Sequence, residues 1–273
     1  TPASPTRSAT ADDVERSDLP AGYSIDAFHR GAFHLAQPND GHRAGMDALV
    51  LAAAVPSDFA GTLADLGAGA GAAGLAVLTR CRQARATLVE REPRMLKAAR
   101  LTLDLPENSA IAGRAQILAA DVELAGRERV AAGLADNAFD FAIMNPPFNA
   151  PEDRATKDDL RRSAHVMRSG LIEAWIRTAA AIVRPGGHVA IIARPVSLPA
   201  ILAAFEGRLG GAEIVPVHPR PDAAAIRIVV RGKRGSRAKL SLLPPLVLHE
   251  AQGHALSPRT DAIVNGDGGL FEA

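Results

Sequence analysis

From Gly61 onward, short apolar runs alternate with segments of helical length, and this rhythm limits the folds open to the chain. Runs of five or six residues suit buried strands, and the segments between them are long enough to form helices. Repeated strand–helix–strand units build a parallel sheet that helices cover on both faces. We predict strands at Thr62–Leu66, Ala86–Glu90, Ala115–Ala119, Phe139–Met144 and His188–Ala193.

Helices are predicted between and after these strands. Pro93 suits the first turn of its helix, and the RPGG segment at 184–187 is a stop signal for the helix before it. The helices are expected at Ala72–Arg82, Pro93–Leu103, Leu124–Leu134, Leu171–Val183 and Leu198–Arg208.

The rhythm changes after Gly210. Ala212–His218 and Ala225–Arg231 face each other across a Pro-Arg-Pro-Asp turn, which predicts an antiparallel pair, and a further strand-like piece follows at Pro245–His249. The whole pattern predicts an α/β, Rossmann-like fold: a seven-strand, mostly parallel sheet with an antiparallel terminal hairpin.

The length of 273 residues allows one large core, so we expect a single domain over 23–273. Residues 1–22 are polar and proline-bearing, and we expect them to be disordered. The single cysteine, Cys81, has no internal disulfide partner, and no signal-like segment or bilayer-length apolar run is present. We therefore expect a cytoplasmic protein without a membrane segment. The net charge of +1 neither requires nor excludes a nucleic-acid partner.

A glycine-rich turn follows the first predicted strand, where the sequence from Asp65 to Gly74 reads DLGAGAGAAG. Glycines there let the backbone pass close beneath a ligand, and the next helix points free N–H groups toward it. Gly69, Gly71 and Gly74 satisfy GxGxxG, the dinucleotide fingerprint. Glu90 ends the second strand, where an acid binds ribose hydroxyls. Considered alone, the turn fits NAD or S-adenosylmethionine.

Two acidic residues favour S-adenosylmethionine. Asp65 precedes the glycines at the strand tip, where its carboxylate can face a methionine ammonium directly or through water. A loop that binds pyrophosphate gains nothing from an anion at that point. Asp121 follows the third strand and is expected to mark the adenine edge.

The sequence Asn145-Pro146-Pro147-Phe148 follows the fourth strand. Proline fixes φ and lacks an N–H, so the carbonyls around Pro146 are held in a rigid outward turn, and the Asn145 side chain adds a second acceptor. Two acceptors at a strand end can bind both hydrogens of an sp² amino group and aim its lone pair at a methyl donor. Phe148 offers a face for stacking a planar base. The alternative is a plain β-turn with an Asn cap.

At these residues the chain resembles the amino-methyltransferases whose fourth motif is Asn/Asp-Pro-Pro-aromatic. It is most similar to the bacterial tRNA(Val) adenine-N6 methyltransferase family, within the methyltransferase small domain group. The similarity runs from about Ser24 to about Gly269 and includes residues 37–48, QPNDGHRAGMDA, and the C-terminal pieces VHP at 217–219 and LVLHE at 246–250. In that family the N-terminal segment packs over the cofactor, so residues 23–58 are expected to form a cofactor-covering extension.

The resemblance implies N-methylation of an adenine amino group in tRNA or other structured RNA, with an RNA partner and S-adenosylmethionine as cofactor. A family that methylates glutamine in a release factor shares the motif, so protein methylation stays open. NAD-dependent oxidoreduction and an RNA-binding module with a decayed site are further alternatives. The expected catalytic residues are Asn145, Pro146, Pro147 and Phe148. The expected cofactor-binding residues are Asp47, Asp65, Gly67, Ala68, Gly69, Gly71, Glu90, Arg91, Asp121, Val122 and Asn145.

Two basic segments are candidates for phosphate contact. The insert 149–169, unusual for the family, carries five basic and four acidic residues, and we expect it to contact substrate and to be mobile without it. A denser basic run, which a solvated hairpin tip would also explain, comprises Arg231, Lys233, Arg234, Arg237 and Lys239. The spacing of His29, His34 and His42 matches no zinc pattern, so no metal is expected. Trp175 is expected to pack its helix against the core.

Overall fold

A computed structural model of the chain describes residues 19–40, 43–147 and 159–272, and within 159–169 it describes the backbone alone. The predicted disorder of 1–22 falls mostly outside this range, as do Phe148 and the first part of the insert. Among the described residues, every helix is too short or too polar to cross a bilayer.

A nine-stranded sheet forms the centre of the molecule, and a two-stranded hairpin stands beside it. The hairpin comprises β1 (Tyr23–Phe28) and β2 (Phe33–Pro38). The sheet strands are β3 (Thr62–Leu66), β4 (Arg85–Glu90), β5 (Ala115–Ala119), β6 (Phe139–Met144), β7 (Val183–Ala193), β8 (Leu209–His218), β9 (Arg227–Arg234), β10 (Ser241–Leu242) and β11 (Leu246–Val247).

The strand order is β10-β8-β9-β7-β6-β3-β4-β5, and β11 pairs with β8. Five neighbouring strands, from β7 to β5, are parallel. The strand β9 is antiparallel to both β7 and β8. The predicted mostly parallel sheet with its antiparallel hairpin is therefore confirmed, and the two-residue strands β10 and β11 extend it beyond seven.

Eight α-helices lie among the described residues. They are α1 (Met46–Ala52), α2 (Ala72–Arg80), α3 (Pro93–Asp104), α4 (Ser109–Ala112), α5 (Gly126–Ala131), α6 (Asp159–Ile182), α7 (Leu198–Phe205) and α8 (Pro258–Val264). The start of α6 differs most from the prediction, because it begins twelve residues before Leu171 and takes in the second part of the insert. The segment 159–169 has no glycine or proline to stop a helix. Sequence reasoning also missed the β1–β2 hairpin and α8.

Alternate residues of each central strand point to opposite faces of the sheet and build two apolar clusters. Leu63 and Phe141 pack into the cluster under α1 and α2, whereas Ala64 and Met144 pack into the cluster under α6 and α7. All four side chains are almost completely buried. Both faces of the central strands are therefore covered, so ligand access is confined to the edges where the strands end.

The strand order reverses between β3 and β6, and ligands of open α/β sheets bind at such a point, outside the carboxyl ends of the strands. The last register pairs are Leu66 with Met144 and Leu66 with Val89. Gly67 and Asn145, which follow their strands, and Glu90, which ends β4, are consequently neighbours. The topology thus joins the glycine turn to the Asn-Pro-Pro turn.

The dense basic run lies at the opposite edge of the sheet. Lys233 pairs in register with His188, whereas Ile228 pairs with Ala193 at the carboxyl end of β7. Five residues of strand separate Lys233 from the ligand edge, a distance of roughly 17 Å. Arg231 forms an ion pair with Glu213 (2.7 Å). The predicted phosphate-binding run is therefore not part of the site described below.

Candidate functional site

The turn between β3 and α2 is shaped by glycines with positive φ. Gly67, Gly69 and Gly71 have φ values of +70°, +58° and +97°, a region that other residues enter only at a cost. The N–H groups of Gly67 and Ala68 both donate to the carbonyl of Val89, at 2.9 and 3.0 Å. The turn is therefore fixed against the end of β4, and its open side faces the cavity.

Glu90 links the turn to the second strand end. Its Oε2 accepts from the N–H of Gly69 (2.9 Å), while its Oε1 accepts from the N–H groups of Arg91 (2.8 Å) and Glu92 (2.9 Å). Three backbone donors hold the carboxylate in one orientation at the carboxyl end of β4. A carboxylate held this way offers its remaining lone pairs to hydroxyl donors from the cavity.

Asp65 lies below the glycine turn and is 3% exposed. Its Oδ2 accepts from the N–H of Gly74 at 2.8 Å, in the first turn of α2. Burial raises the pKa of Asp65 to about 7, against the opposing effect of the Gly74 hydrogen bond and with a small contribution from Glu90. Among the residues that the structure describes, Gly74 gives this buried carboxyl its hydrogen bond and no cation forms an ion pair with it, so it is suited to receive a cationic group.

Asp47 begins the wall opposite the glycine turn. It lies in the first turn of α1, and its Oδ2 forms an ion pair with Arg227 Nε of β9 at 2.8 Å. Ala44, Gly45 and Met46 line the same wall. The segment that follows the β1–β2 hairpin therefore borders the glycine turn, where the sequence predicted an N-terminal extension.

Asp121 and Arg91 occupy the far end of the cavity, beyond Glu90. Asp121 Oδ2 accepts from Arg91 (2.8 Å), and Asp121 Oδ1 accepts from the N–H of Glu123 (2.8 Å). Burial acts to raise the pKa of Asp121, but the Glu123 and Arg91 hydrogen bonds outweigh it and the pKa is lowered. Val122, 4% exposed, supplies the apolar surface next to this anion.

Asn145 and Pro146 continue β6 into the cavity. Pro146 is buried and Pro147 is exposed. The Asn145 Oδ1 atom is covered from solvent and has no hydrogen-bond partner among the described residues. An unpaired buried acceptor is costly, so its presence at a ligand edge indicates a group that binds a donor from outside the chain. Phe148, the last predicted catalytic residue, lies outside the described residues.

Two adjoining cavities meet at this edge. The first, about 250 Å³, lies between the N-terminal segment and the glycine turn. The second, about 570 Å³, runs from Asp121 past Glu90 to Pro146 and Pro147. Both are lined by Asp47, Gly67, Gly69, Met95 and Asn145. The predicted cofactor residues and the Asn-Pro-Pro turn thus surround one continuous space. Gly71 is the exception, because it belongs to the glycine turn but does not line either cavity.

This space fits S-adenosylmethionine. The buried Asp65 carboxyl suits an ammonium, the oriented Glu90 carboxylate suits ribose hydroxyls, and the Asp121–Val122 end suits an adenine with its amino group. NAD needs a different environment, because Asp65 would stand where a pyrophosphate requires positive charge or free N–H groups.

Several residues that line the cavity were not predicted as site residues, among them Met95, Trp175, Arg194 and Arg227. Arg194 follows the carboxyl end of β7, so the strand-end argument used for Glu90 would have found it. Trp175 packs in the apolar cluster under α6 as expected, and it also faces the cavity. Met95 and Arg227 carry no sequence signal, because their positions depend on how α3 and β9 pack.

No metal centre is found among the described residues, where no group of three or more His, Cys, Asp or Glu side chains is arranged around a common point. His29 instead makes a hydrogen bond to Thr79 Oγ1 at 2.9 Å. His42 lies outside the described residues.

Comparison with known proteins agrees with this geometry. A family model described as methyltransferase small domain matches residues 42–209. The structure of a predicted O-methyltransferase from Agrobacterium tumefaciens is 44% identical, covers 82% of this chain and 98% of its own, and superposes with a TM-score of 0.72. No match was found among curated protein sequences.

Two more distant structures share the fold. A T. thermophilus 16S rRNA N2 G1207 methyltransferase in complex with AdoMet and guanosine is 23% identical, with a TM-score of 0.51, over 79% of this chain and 52% of its own. M. jannaschii TYW2 in complex with AdoMet is 9% identical, with a TM-score of 0.50, over 78% of this chain and 87% of its own.

Proposed function

Because the chain belongs to the methyltransferase small domain family and is an S-adenosylmethionine-dependent methyltransferase of the Rossmann-like class, we propose that it methylates the exocyclic N6 amino group of an adenine in tRNA or another structured RNA. The proposal rests above all on one observation: Oδ1 of Asn145, at the junction of the two cavities, is buried and has no hydrogen-bond partner among the described residues.

The two hydrogen-bond acceptors of the Asn-Pro-Pro turn determine which chemical group can receive the methyl. Asn145 Oδ1 and the Pro146 carbonyl oxygen bind the two hydrogens of a planar amino group. Binding both hydrogens draws the nitrogen lone pair out of conjugation with the ring and directs it toward the glycine turn. Alignment of this kind supplies a large part of the rate of a two-substrate transfer.

The cofactor is held by groups on three strand ends. We assign Asp65 and Asp47 to the methionine end, Gly67, Ala68 and Gly69 to the turn beneath it, and Glu90 to the ribose. The adenine lies between Val122 and the Asp121–Arg91 pair. Residues 23–58 serve as the cover over this end, because their segment after β2 faces the glycine turn.

Bound S-adenosylmethionine supplies an electrophilic methyl on a sulfonium, which is already a good leaving group. Asn145 and Pro146 would hold the acceptor nitrogen in line with this methyl, so that the nitrogen would bond to the methyl carbon and the sulfur would leave with the electrons of the carbon–sulfur bond. The nitrogen then loses one proton to solvent. No strong base is needed, so the protein's contribution is to exclude water and to align the amino group.

An RNA acceptor is favoured by the likeness to the tRNA(Val) adenine-N6 family and by the cationic side chain of Arg194, which lines the cavity and a groove with Pro146 and Pro147. Cations beside the acceptor end suit the phosphates that flank a flipped nucleotide, and Phe148 is proposed to stack on its base. The second candidate acceptor, a protein glutamine amide, fits the same two oxygens. We place the reaction in the cytoplasm, where tRNA is found.

The experiment that tests the proposal is transfer of labelled methyl from S-adenosylmethionine to total RNA and total protein of cells that lack the gene. We expect label in RNA, recovered as N6-methyladenosine after digestion to nucleosides. Label in protein as N5-methylglutamine would establish the second candidate instead. Label recovered as an O-methyl product would contradict both.

Asn145→Ala should reduce transfer by about a thousandfold or more, because it removes an acceptor that aligns the reacting nitrogen. S-adenosylhomocysteine affinity, measured by isothermal titration, should stay within about threefold of wild type. Asn145→Asp is the matched control, since it keeps an oxygen acceptor and should retain much more activity. Equal loss of cofactor affinity and activity in Asn145→Ala would show that Asn145 serves the cofactor rather than the acceptor.

A further inference from the structure

Trp175 carries a second unpaired polar atom at the same cavity. Its side chain is 8% exposed, and Nε1 is covered from solvent with no hydrogen-bond partner among the described residues. A buried indole N–H normally finds an acceptor. Trp175 and Asn145 both line the larger cavity, so an unpaired donor and an unpaired acceptor stand at one ligand site.

The position of Trp175 is fixed by the helix on which it lies. One turn later on α6, Thr178 Oγ1 donates to the carbonyls of Val122 (2.7 Å) and Leu124 (3.2 Å). One turn earlier, Leu171 and Ile172 line a groove with Pro146 and Pro147. Trp175 therefore stands between the adenosine end of the cavity and the Asn-Pro-Pro turn.

The indole ring also lies against the glycine turn. A Cβ built on Gly67 would come within 2.4 Å of Trp175 Cη2. The ring consequently fills the space beside Gly67, under the point where donor and acceptor meet.

We propose that Trp175 Nε1–H recognises a hydrogen-bond acceptor that is adjacent to the methylated amino group, so that Trp175 is a specificity-determining residue for the acceptor substrate. This inference rests on the proposed transfer to a planar nitrogen. The ligand chemistry is an amidine or amide edge, in which an amino group stands next to a ring nitrogen or a carbonyl oxygen. Adenine presents such an edge through N6 and a neighbouring ring nitrogen.

A ligand that carries both a donor and an acceptor explains why both atoms lack a partner among the residues that the structure describes. An amino group satisfies Asn145 Oδ1, and its neighbouring acceptor satisfies Trp175 Nε1. A hydroxyl has one hydrogen, so it can pair with only one of the two oxygens of the Asn-Pro-Pro turn, Asn145 Oδ1 and the Pro146 carbonyl. Binding sites with buried polar groups reject ligands that leave those groups without a hydrogen bond. This arrangement therefore favours methyl transfer to nitrogen over methyl transfer to oxygen.

Trp175→Phe tests the inference, because phenylalanine keeps an aromatic ring at this position and lacks the N–H. The variant is assayed with the cell fraction, RNA or protein, that the wild-type protein methylates. Its kcat/KM for this methyl acceptor should be roughly tenfold lower than that of the wild type, mainly because KM rises. S-adenosylhomocysteine affinity should stay within about twofold. Phe205→Leu is the matched control, since Phe205 is a buried aromatic of the same cluster that packs against Gly232, toward the opposite edge of the sheet.

Both variants should lose a few degrees of Tm, and only Trp175→Phe should raise the acceptor KM. An unchanged KM in Trp175→Phe, or an equal rise in Phe205→Leu, would overturn the inference and leave the proposed function standing. A loss of cofactor affinity that matches the loss in kcat/KM would assign Nε1 to the cofactor and overturn it as well. Wild-type label on oxygen would contradict the proposed function itself.

Discussion

At the residue scale, the proposed role of Asp65 toward a cationic group depends on its burial. Its carboxyl is almost completely buried, and its one hydrogen bond comes from Gly74. Burial raises its pKa to about 7, so the unliganded protein holds it protonated over much of the acid range. A positive ligand beside it would favour the ionised form and gain affinity as the pH rises.

Asp65 makes the stability of the unliganded protein depend on pH. The folded chain keeps a proton that the unfolded chain loses near its ordinary pKa of 3.8, so the free energy of unfolding falls as the pH rises from about 4 to about 7. Asp65→Asn lacks this titration and still offers an oxygen to Gly74. Denaturant unfolding across this range should show the variant gaining about 4 kcal/mol relative to wild type. Parallel pH profiles for the two proteins would contradict the raised pKa.

The candidate site residues that were predicted from the sequence share one property, a position at a strand end. Asp65, Glu90, Asp121 and Asn145 all lie at or just after the carboxyl end of a parallel strand, and the topology alone brings those ends to one edge. The sequence could not predict that Trp175 lines the cavity, because the direction in which a helix residue points depends on how the helix packs. The unpaired Nε1 appears only once that packing is known.

At the element scale, the β3–α2 turn is the most constrained unit. Gly67 has a positive φ, and the indole of Trp175 lies against its Cα. Both the backbone conformation and the lack of room for a Cβ therefore require glycine at this position. Sequence reasoning placed β3, β5 and β6 at their observed limits, because short apolar runs between turn residues define buried strands well. The β1–β2 hairpin escaped prediction, since its strands are only partly apolar and its turn at His29–Gly31 carries no common hairpin sequence.

Gly67→Ala and Gly31→Ala separate backbone strain from crowding. Both glycines have positive φ, but a Cβ at Gly31 meets nothing within 4 Å, whereas one at Gly67 meets Trp175. Gly31→Ala should cost about 1 kcal/mol of unfolding free energy, and Gly67→Ala roughly 3 kcal/mol. Urea denaturation measures both. Equal losses in the two variants would mean that Trp175 does not press on the turn.

At the scale of the whole molecule, the reversal of strand order explains why one edge carries the chemistry. The chain runs outward from β3 to β5 and then returns to β6 on the other side, so the glycine turn and the Asn-Pro-Pro turn become neighbours. The sequence predicted this edge from the alternation of elements. It did not predict on which edge the basic run would fall, because that depends on β9 entering the sheet antiparallel between β7 and β8.

The central claim is that the methyl donor and the acceptor amine meet where these two turns converge. A crystal structure of the protein with S-adenosylhomocysteine tests it most directly. We predict the cofactor sulfur beside Gly67 and within roughly 6 Å of Asn145 Oδ1, a gap that accommodates one amino group at reacting distance. A sulfur atom directed away from Asn145, or a cofactor bound outside the cavity between Asp47 and Asp121, would contradict the account.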